Sequence, residues 1–216
     1  RIDEKKLKSF YKNNKIKKCS AKLIKEVFTT IKDSNRPAIL IGSGIKNSKC
    51  INEFKEFINK YNIPVVYTSS ATSILGSEYK YCIGSIGSQG CSREGAFTVQ
   101  NSDLLLVLGS RLNSLTIGLD KEKFARNAKK IIIDIDKEEY SKNKFNNSKL
   151  ILSDLGFFLK SMNKKKIINI RWDKWSQKCL NWKKIFKDKK DLINNSQKTN
   201  LYELSEVFSK ILPKKS

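Results

Sequence analysis

The sequence predicts an α/β fold: a six-stranded parallel sheet with helices on both faces, followed by a C-terminal helical segment. Three observations carry this prediction. Short apolar runs without polar alternation, such as Ala38 to Ile41, Leu104 to Leu108 and Ile131 to Ile133, read as strands buried on both faces. Between them lie stretches with apolar residues at three- and four-residue intervals, the pattern of crossover helices. Nearly every apolar run ends in glycine, a hydroxyl or aspartate, at the end of the strand where an open parallel sheet holds its ligands.

In chain order, Arg1 to Lys18 is lysine-rich with little periodicity and reads as a lead-in. Ser20 is a helix N-cap, and Leu23, Ile24, Val27, Phe28 and Ile31 fall on one face of the helix after it. Arg36-Pro37 breaks that helix, and the strand Ala38 to Ile41 runs into Gly42-Ser43-Gly44. Ile51, Phe54, Phe57 and Ile58 mark a second amphipathic helix, and Ile63 to Tyr67 a second strand ending in Thr68-Ser69-Ser70. Gly84, Gly87 and Gly90 form a glycine-rich stretch before a helix from Ser92 to Asn101. Leu104 to Leu108 then ends in Gly109-Ser110-Arg111, and Ile131 to Ile133 in Asp134-Ile135-Asp136. Leu150 to Leu152 ends in Ser153-Asp154, and a helix runs from Leu155 to Met162. The polar patch Asn163 to Lys166 marks a boundary. Beyond it, Trp172, Trp175, Cys179, Trp182 and Phe186 stand at helical spacing and read as a docking face. Lys187 to Asn200 is polar linker, and a last helix carrying Leu204, Val207, Phe208 and Ile211 stops at Pro213.

Composition narrows the class. A chain of 216 residues that is 39% hydrophobic buries one ordinary core with some helix to spare. No apolar run approaches a membrane span and no signal-peptide pattern opens the chain, so a cytoplasmic protein with no membrane partner is expected. It begins at Arg1 rather than methionine, as a piece of a longer polypeptide or a processed product would. The formal charge of +23 raises a nucleic-acid reading, but the lysines are scattered through every segment. Neither an RNP-like aromatic pattern nor Cys/His finger spacing accompanies them, so a solvated surface is expected and nucleic acid is not. The five cysteines (Cys19, Cys50, Cys82, Cys91 and Cys179) contain no C-x-x-C pair and read as free thiols. The absence of histidine excludes Ser–His triads, Cys–His dyads and His-based zinc sites within the chain.

The strand ends offer a ligand crevice. Glycines let a ligand approach the backbone, hydroxyls and backbone N–H groups suit phosphate oxygens, and aspartates accept from ribose hydroxyls. Arg111 is able to pair with a phosphate or lie flat on a ring. Each residue also has a structural reading: the glycines as turns, Asp134 or Asp154 as helix caps, Arg111 as an ion-pair partner. A nicotinamide site is disfavoured, because Asn47 stands where the third glycine belongs and the second strand ends in Thr68-Ser69-Ser70 rather than an acid. No Walker lysine follows the glycines. No catalytic pair emerges either: Asp134 and Asp136 point to opposite faces if both lie in the strand. The residues alone reach a Rossmann-like domain with a nucleotide-type crevice.

The runs RPAILIGSGI, IPVVYTSS, IGSIGSQG, EGAFTVQNSDLLLVLGSRLNS and AKKIIIDIDKEEYSK carry a resemblance. In this order they resemble the central domain of thiamine-diphosphate enzymes of the acetolactate synthase-like family, from about Ser20 through Met162. Val99 to Asn113 is the most specific stretch. Ser110-Arg111-Leu112-Asn113 is especially similar to the thiamine-diphosphate enzymes of surface-polysaccharide gene clusters. The resemblance implies four segments: a lead-in linker (1–19), a central nucleotide-binding-like domain (20–162), a tryptophan-bearing helix and linker (163–200), and the start of a cofactor-binding domain (201–216).

It further implies a parent transferase or lyase, a homodimer or homotetramer, that uses thiamine diphosphate and Mg2+ on a 2-oxo acid such as pyruvate. The G-D-G…N motif and the activating glutamate of such a parent belong to its other domains, so this stretch has no catalytic residue and no metal ligand of its own. In the family the central domain holds FAD in a non-redox role, ADP, CoA or nothing. The implied cofactor-binding positions are Gly42, Ser43, Gly44, Ser69, Gly87, Gly109, Arg111, Asp134, Ile135 and Asp154. Leu112-Asn113-Ser114 replaces the family's Phe-Asp-Asp type run, and Ser88 and Gln89 replace the histidine and methionine of its glycine loop. The alternative is a free-standing, non-catalytic module that binds ADP or FAD.

Overall fold

The computed structural model describes residues 18–76, 79–142, 144–166, 172–187 and 201–212. Six strands form one wholly parallel sheet: β1 (Pro37–Ile41), β2 (Val65–Thr68), β3 (Cys82–Ile86), β4 (Leu104–Leu108), β5 (Lys129–Asp134) and β6 (Ser148–Leu152). Their spatial order is β3-β2-β1-β4-β5-β6, the doubly wound order in which the chain reverses direction across the sheet between β1 and β4. β1 and β4 sit at that reversal and are buried at every position, which is why their runs lack polar alternation. Asp103 fixes their starts together, its two carboxylate oxygens accepting from the N–H groups of Asn35 and Arg36 at 2.9 Å each.

The helices that matter to this frame are α1 (Ala21–Asp33), α2 (Gly44–Asn47), α3 (Ile51–Tyr61), α4 (Arg93–Asn101), α5 (Ser114–Ile117), α6 (Lys137–Lys142), α7 (Leu155–Asn163), α8 (Asp173–Lys187) and α9 (Leu201–Ile211). Ser20 caps α1 by accepting from Leu23 N, and Ser92 caps α4 by accepting from Gly95 N. α3 and α1 pack on α7, while α4 lies on β3 and carries α8. Among the described residues no helix is long and apolar enough to cross a membrane.

Two elements differ from the sequence reading. The first half of the glycine-rich stretch is strand β3, with Gly84 inside it. A side chain there would strike Ser92 Oγ at 2.0 Å, so the glycine exists to let the start of α4 sit on the strand. The lysines are also not all solvated. Lys130 lies in β5 with 3% of its surface exposed, donates from Nζ to the Ala128 carbonyl at 3.2 Å and sits 6.0 Å from the Phe145 ring centre. Burial depresses its pKa, partly offset by Glu122.

The tryptophan stripe docks, as its spacing predicts. Trp172 Nε1 donates to the Tyr61 carbonyl and Trp175 Nε1 to the Pro37 carbonyl, each at 2.9 Å. Ser176 Oγ donates to the Asn62 carbonyl. These acceptors lie at the start of β1 and just before β2, so the beginning of α8 is pinned to the side of the sheet opposite the strand carboxyl ends. Arg1 to Lys17, the linker from 188 to 200 and the stop at Pro213 lie outside the described residues.

Candidate functional site

The carboxyl ends of β1, β2, β3, β4 and β5 open into one crevice of about 530 Å³. Its position follows from the strand order, because β1 and β4 meet at the reversal point, where open parallel sheets bind their ligands. Nine of the ten residues implied by the resemblance line it: Gly42, Ser43, Gly44, Ser69, Gly87, Gly109, Arg111, Asp134 and Ile135. Asp154 does not. Its Oδ1 accepts from Phe157 N at 2.8 Å and caps α7, the structural role open to an aspartate at a strand-to-helix junction.

The floor of the crevice is backbone against backbone. Gly42 N donates to the Leu108 carbonyl and Gly44 N to the Gly109 carbonyl, each at 3.0 Å. A Cβ on Gly42 would lie 2.3 Å from Gly109 O, and one on Gly44 2.6 Å from Gly109 Cα. Gly109 itself has φ +61, and a Cβ there would lie 2.7 Å from Gly44 Cα. These glycines therefore hold the β1 and β4 turns in contact, and the N–H groups of Gly42 and Gly44 are engaged within the protein rather than offered to a phosphate.

The polar lining comes from side chains. Thr68 Oγ1 bonds to Ser70 Oγ at 3.0 Å and to the Ile41 carbonyl at 3.4 Å, and Ser69 lies between them at the same edge. Asn113 caps α5, its Oδ1 accepting from Thr116 N and Oγ1 at 3.1 Å each. On the far side, Asp134 Oδ1 accepts from Ile135 N at 2.7 Å and Asp136 N at 3.0 Å. Both bonds fall on one oxygen, Oδ1. The charged lining groups are Arg111, Asp134 and Asp136.

β5 ends at Asp134, which takes Asp136 out of the strand and into the same crevice wall. The opposite-face expectation held only for two strand residues. Asn47, Ser48, Thr68, Ser70, Gln89, Asn113, Leu115 and Thr116 also line the crevice. The strand-end rule signals the hydroxyls beside Ser69, but nothing local signals Leu115.

Burial raises the Asp134 carboxyl pKa, against the pull of the two N–H groups and of Arg111, with Asp136 adding to the rise. A carboxyl raised in the folded state favours folding below its unfolded pKa and loses that contribution as pH rises through the folded value. Asp134→Asn keeps an Oδ1 acceptor for both N–H groups and removes the buried charge. Thermal melts are expected to find it at least as stable as the parent at about pH 7, with the advantage shrinking toward about pH 4. A variant clearly less stable at neutral pH would show that the ionised carboxylate is needed for the turn.

Two of the cysteines are held away from the reactive thiolate form. Cys50 and Cys179 are buried, and desolvation pushes both thiols up to about 12. Among the described residues no group of three or more His, Cys, Asp or Glu side chains is placed to hold a metal ion.

A doubly wound sheet with a polar crevice at its reversal point is a Rossmann-like architecture, in which ligands bind at that crevice. A family model described as the central domain of thiamine pyrophosphate enzymes matches residues 24–162, and the chain belongs to that family. It is 34% identical over 114 residues to the acetolactate synthase large subunit of Porphyra purpurea, covering 53% of this chain and 19% of that protein. Against acetolactate synthase isozyme 1 large subunit of Escherichia coli (strain K12) the identity is 32% over 123 residues, covering 57% and 21%. Against the acetolactate synthase large subunit of Buchnera aphidicola it is 29% over 177 residues, covering 79% and 30%. The chain therefore spans 19–30% of the length of these relatives. The fold is also that of a solved structure of a thiamin diphosphate-dependent enzyme from Mycobacterium smegmatis, with a TM-score of 0.59 at 16% identity over 72% of this chain and 29% of the other.

Proposed function

We propose that this chain is the nucleotide-holding central domain of a thiamine-diphosphate-dependent carboligase or decarboxylase acting on a 2-oxo acid such as pyruvate, and that it does not catalyse alone. The observation that carries the reading is the crevice itself, which lies within the family-matched stretch and gathers hydroxyls, Arg111 and two carboxylates at the sheet's reversal point. Neither a G-D-G run nor a histidine occurs in the chain. Among the described residues no group of three or more His, Cys, Asp or Glu side chains is placed to hold the Mg2+ of the cofactor, and we assign the reaction to the other domains of the parent.

The crevice fits the ADP half shared by ADP and FAD. Asp134 Oδ2 would accept from a ribose hydroxyl, while Ser43, Ser69, Ser70 and Arg111 would hold the phosphates. Bound there, the nucleotide would brace the β1, β4 and β5 loops without entering the chemistry. The Ser110 to Asn113 run favours a parent of the surface-polysaccharide type. Because every lining residue falls between 42 and 155, a free-standing ADP- or FAD-binding module remains the second reading.

The full-length parent with thiamine diphosphate and Mg2+ is expected to release CO2 from pyruvate or another 2-oxo acid, and the 216-residue chain to release none. Failure of the parent on every 2-oxo acid tested would overturn the catalytic assignment. In either reading Arg111→Ala should weaken ADP binding by about tenfold or more in calorimetry, the loss of a charge-assisted phosphate contact.

A further inference from the structure

The second half of α8 carries an open aromatic face. Trp182, Ile185 and Phe186 stand at helical spacing beyond the pinned first turn. Phe97 of α4 joins them, its ring centre 5.6 Å from that of Trp182 and 5.3 Å from that of Phe186. Phe97 is 46% exposed and Ile185 55%. Cations rim the patch: the Arg93 guanidinium lies 6.0 Å from the Phe186 ring centre, and Lys178 Nζ 5.4 Å from that of Trp182. With five lysines against Asp173, α8 has a net charge of +4 and is the most positive of the described helices.

α9 has the complementary character. Leu204, Val207, Phe208 and Ile211 follow the i, i+3, i+4, i+7 spacing of one helix face, yet they are 37%, 49%, 50% and 71% exposed. Two glutamates against Lys210 give it a net charge of −1, which makes it the one negative helix among those described. A helix of 11 residues is marginal in water by itself, so a stable α9 needs a surface for this stripe.

The chain between the two helices is long enough to bring them together. Thirteen residues separate Lys187 from Leu201. Fully extended they reach roughly 45 Å, about twice the ~22 Å length of α8, so α9 can return along that helix. A short tether also sets a local concentration on the order of a millimolar, at which a modest contact stays closed. A second copy of the α8 face is a poorer fit, since it would bring like charge against like.

We propose that α9 is the occupant of the aromatic face formed by α4 and α8, its apolar stripe seated on Phe97, Trp182, Ile185 and Phe186 and its acidic side opposed to the α8 lysines. Seated there, it fixes the exit of the chain beside edge strand β3, on which α4 and α8 pack.

Hydrogen exchange in the 216-residue chain, read by mass spectrometry over residues 201–211, tests the seat. The α9 amides are expected to exchange at least about tenfold more slowly than those of a free peptide of the same sequence. Ile185→Asp, an exposed position on the other helix, is expected to return them to the free-peptide rate. Phe208→Asp should do so from the α9 side, and it keeps the test open if Ile185→Asp does not fold. Acrylamide quenching of tryptophan emission should rise in both variants, because Trp182 is uncovered while Trp172 and Trp175 stay buried. Free-peptide exchange in the unsubstituted chain, or protection that folded Ile185→Asp leaves intact, would overturn α9 as the occupant of this face. Protection that grows with protein concentration would overturn a seat within one chain.

Discussion

Gly42→Ala is expected to destabilise the chain by about 3 kcal/mol, the upper end for an overpacked position. For a protein of this size that lowers the melting temperature by about 6–12 °C. The added methyl would lie 2.3 Å from Gly109 O, 2.7 Å from Ser110 Cα and 2.8 Å from Ser110 Cβ. Two of those three atoms are backbone at the end of a fully buried central strand, so no flexible side chain tip is available to move aside. The strain is relieved only by separating the β1 and β4 turns, which breaks the Gly42 N to Leu108 O and Gly44 N to Gly109 O bonds. Gly76→Ala is the matched control. Among the described residues nothing lies within 4 Å of its Cβ position, and the loss of backbone freedom in the unfolded chain should leave it neutral or stabilised by about 0.4–1 kcal/mol. Circular-dichroism melts of the two variants beside the parent decide the matter, and a Gly42→Ala protein melting with the parent would show that the turns are not in contact.

The same glycines show which parts of the molecule were legible in the sequence. Strands buried on both faces leave an unmistakable local record, and β1, β2, β4, β5 and β6 were readable as apolar runs ending in small or polar residues. β3 was not, because Gly84 and Ser85 interrupt its run for a reason that lies elsewhere in the chain, the seat of Ser92 and α4. At the site, position was legible but role was not always so. Placing Gly42, Gly44 and Gly109 at the crevice required only the strand-end rule. Learning that they face each other, with all three of their N–H groups engaged, required the strand order. Asp134 and Asp154 follow strands in the same way, yet one enters the crevice and the other caps α7, since edge strand β6 lies away from the reversal point. The hydrogen bond from Ser88 N, in the loop after β3, to the Leu115 carbonyl in α5 had no local signal at all. It exists only because loops separated by two strands meet in space.

Trp172→Ala is expected to cost about 3–5 kcal/mol, the range for deleting a fully buried large aromatic. Scaled to a protein of this length, the melting temperature should fall by about 6–20 °C. Trp172 is 1% exposed, the largest of the fully buried side chains described, and its indole N–H is bonded to the Tyr61 carbonyl. Removing it leaves a cavity beside α3 and an unpaired carbonyl at that helix's end, and it frees the start of α8. Trp172→Phe separates the two contributions: it retains most of the volume and loses the bond, and should cost about 1–3 kcal/mol. Trp182 supplies the contrast, since it lies farther along α8 in a partly exposed cluster 5.6 Å from the rings of both Phe97 and Trp175. With Phe97 46% exposed, that cluster retains water access, and Trp182→Ala should cost clearly less than Trp172→Ala. Equal effects from the two tryptophans would mean that α8 contributes as one uniform stripe. A large effect from Trp172 alone would mean that the helix is held by its first turn, where Trp172, Trp175 and Ser176 tie it beneath β1 and β2, so that residues beyond the family-matched stretch help to hold the frame on which the crevice is built.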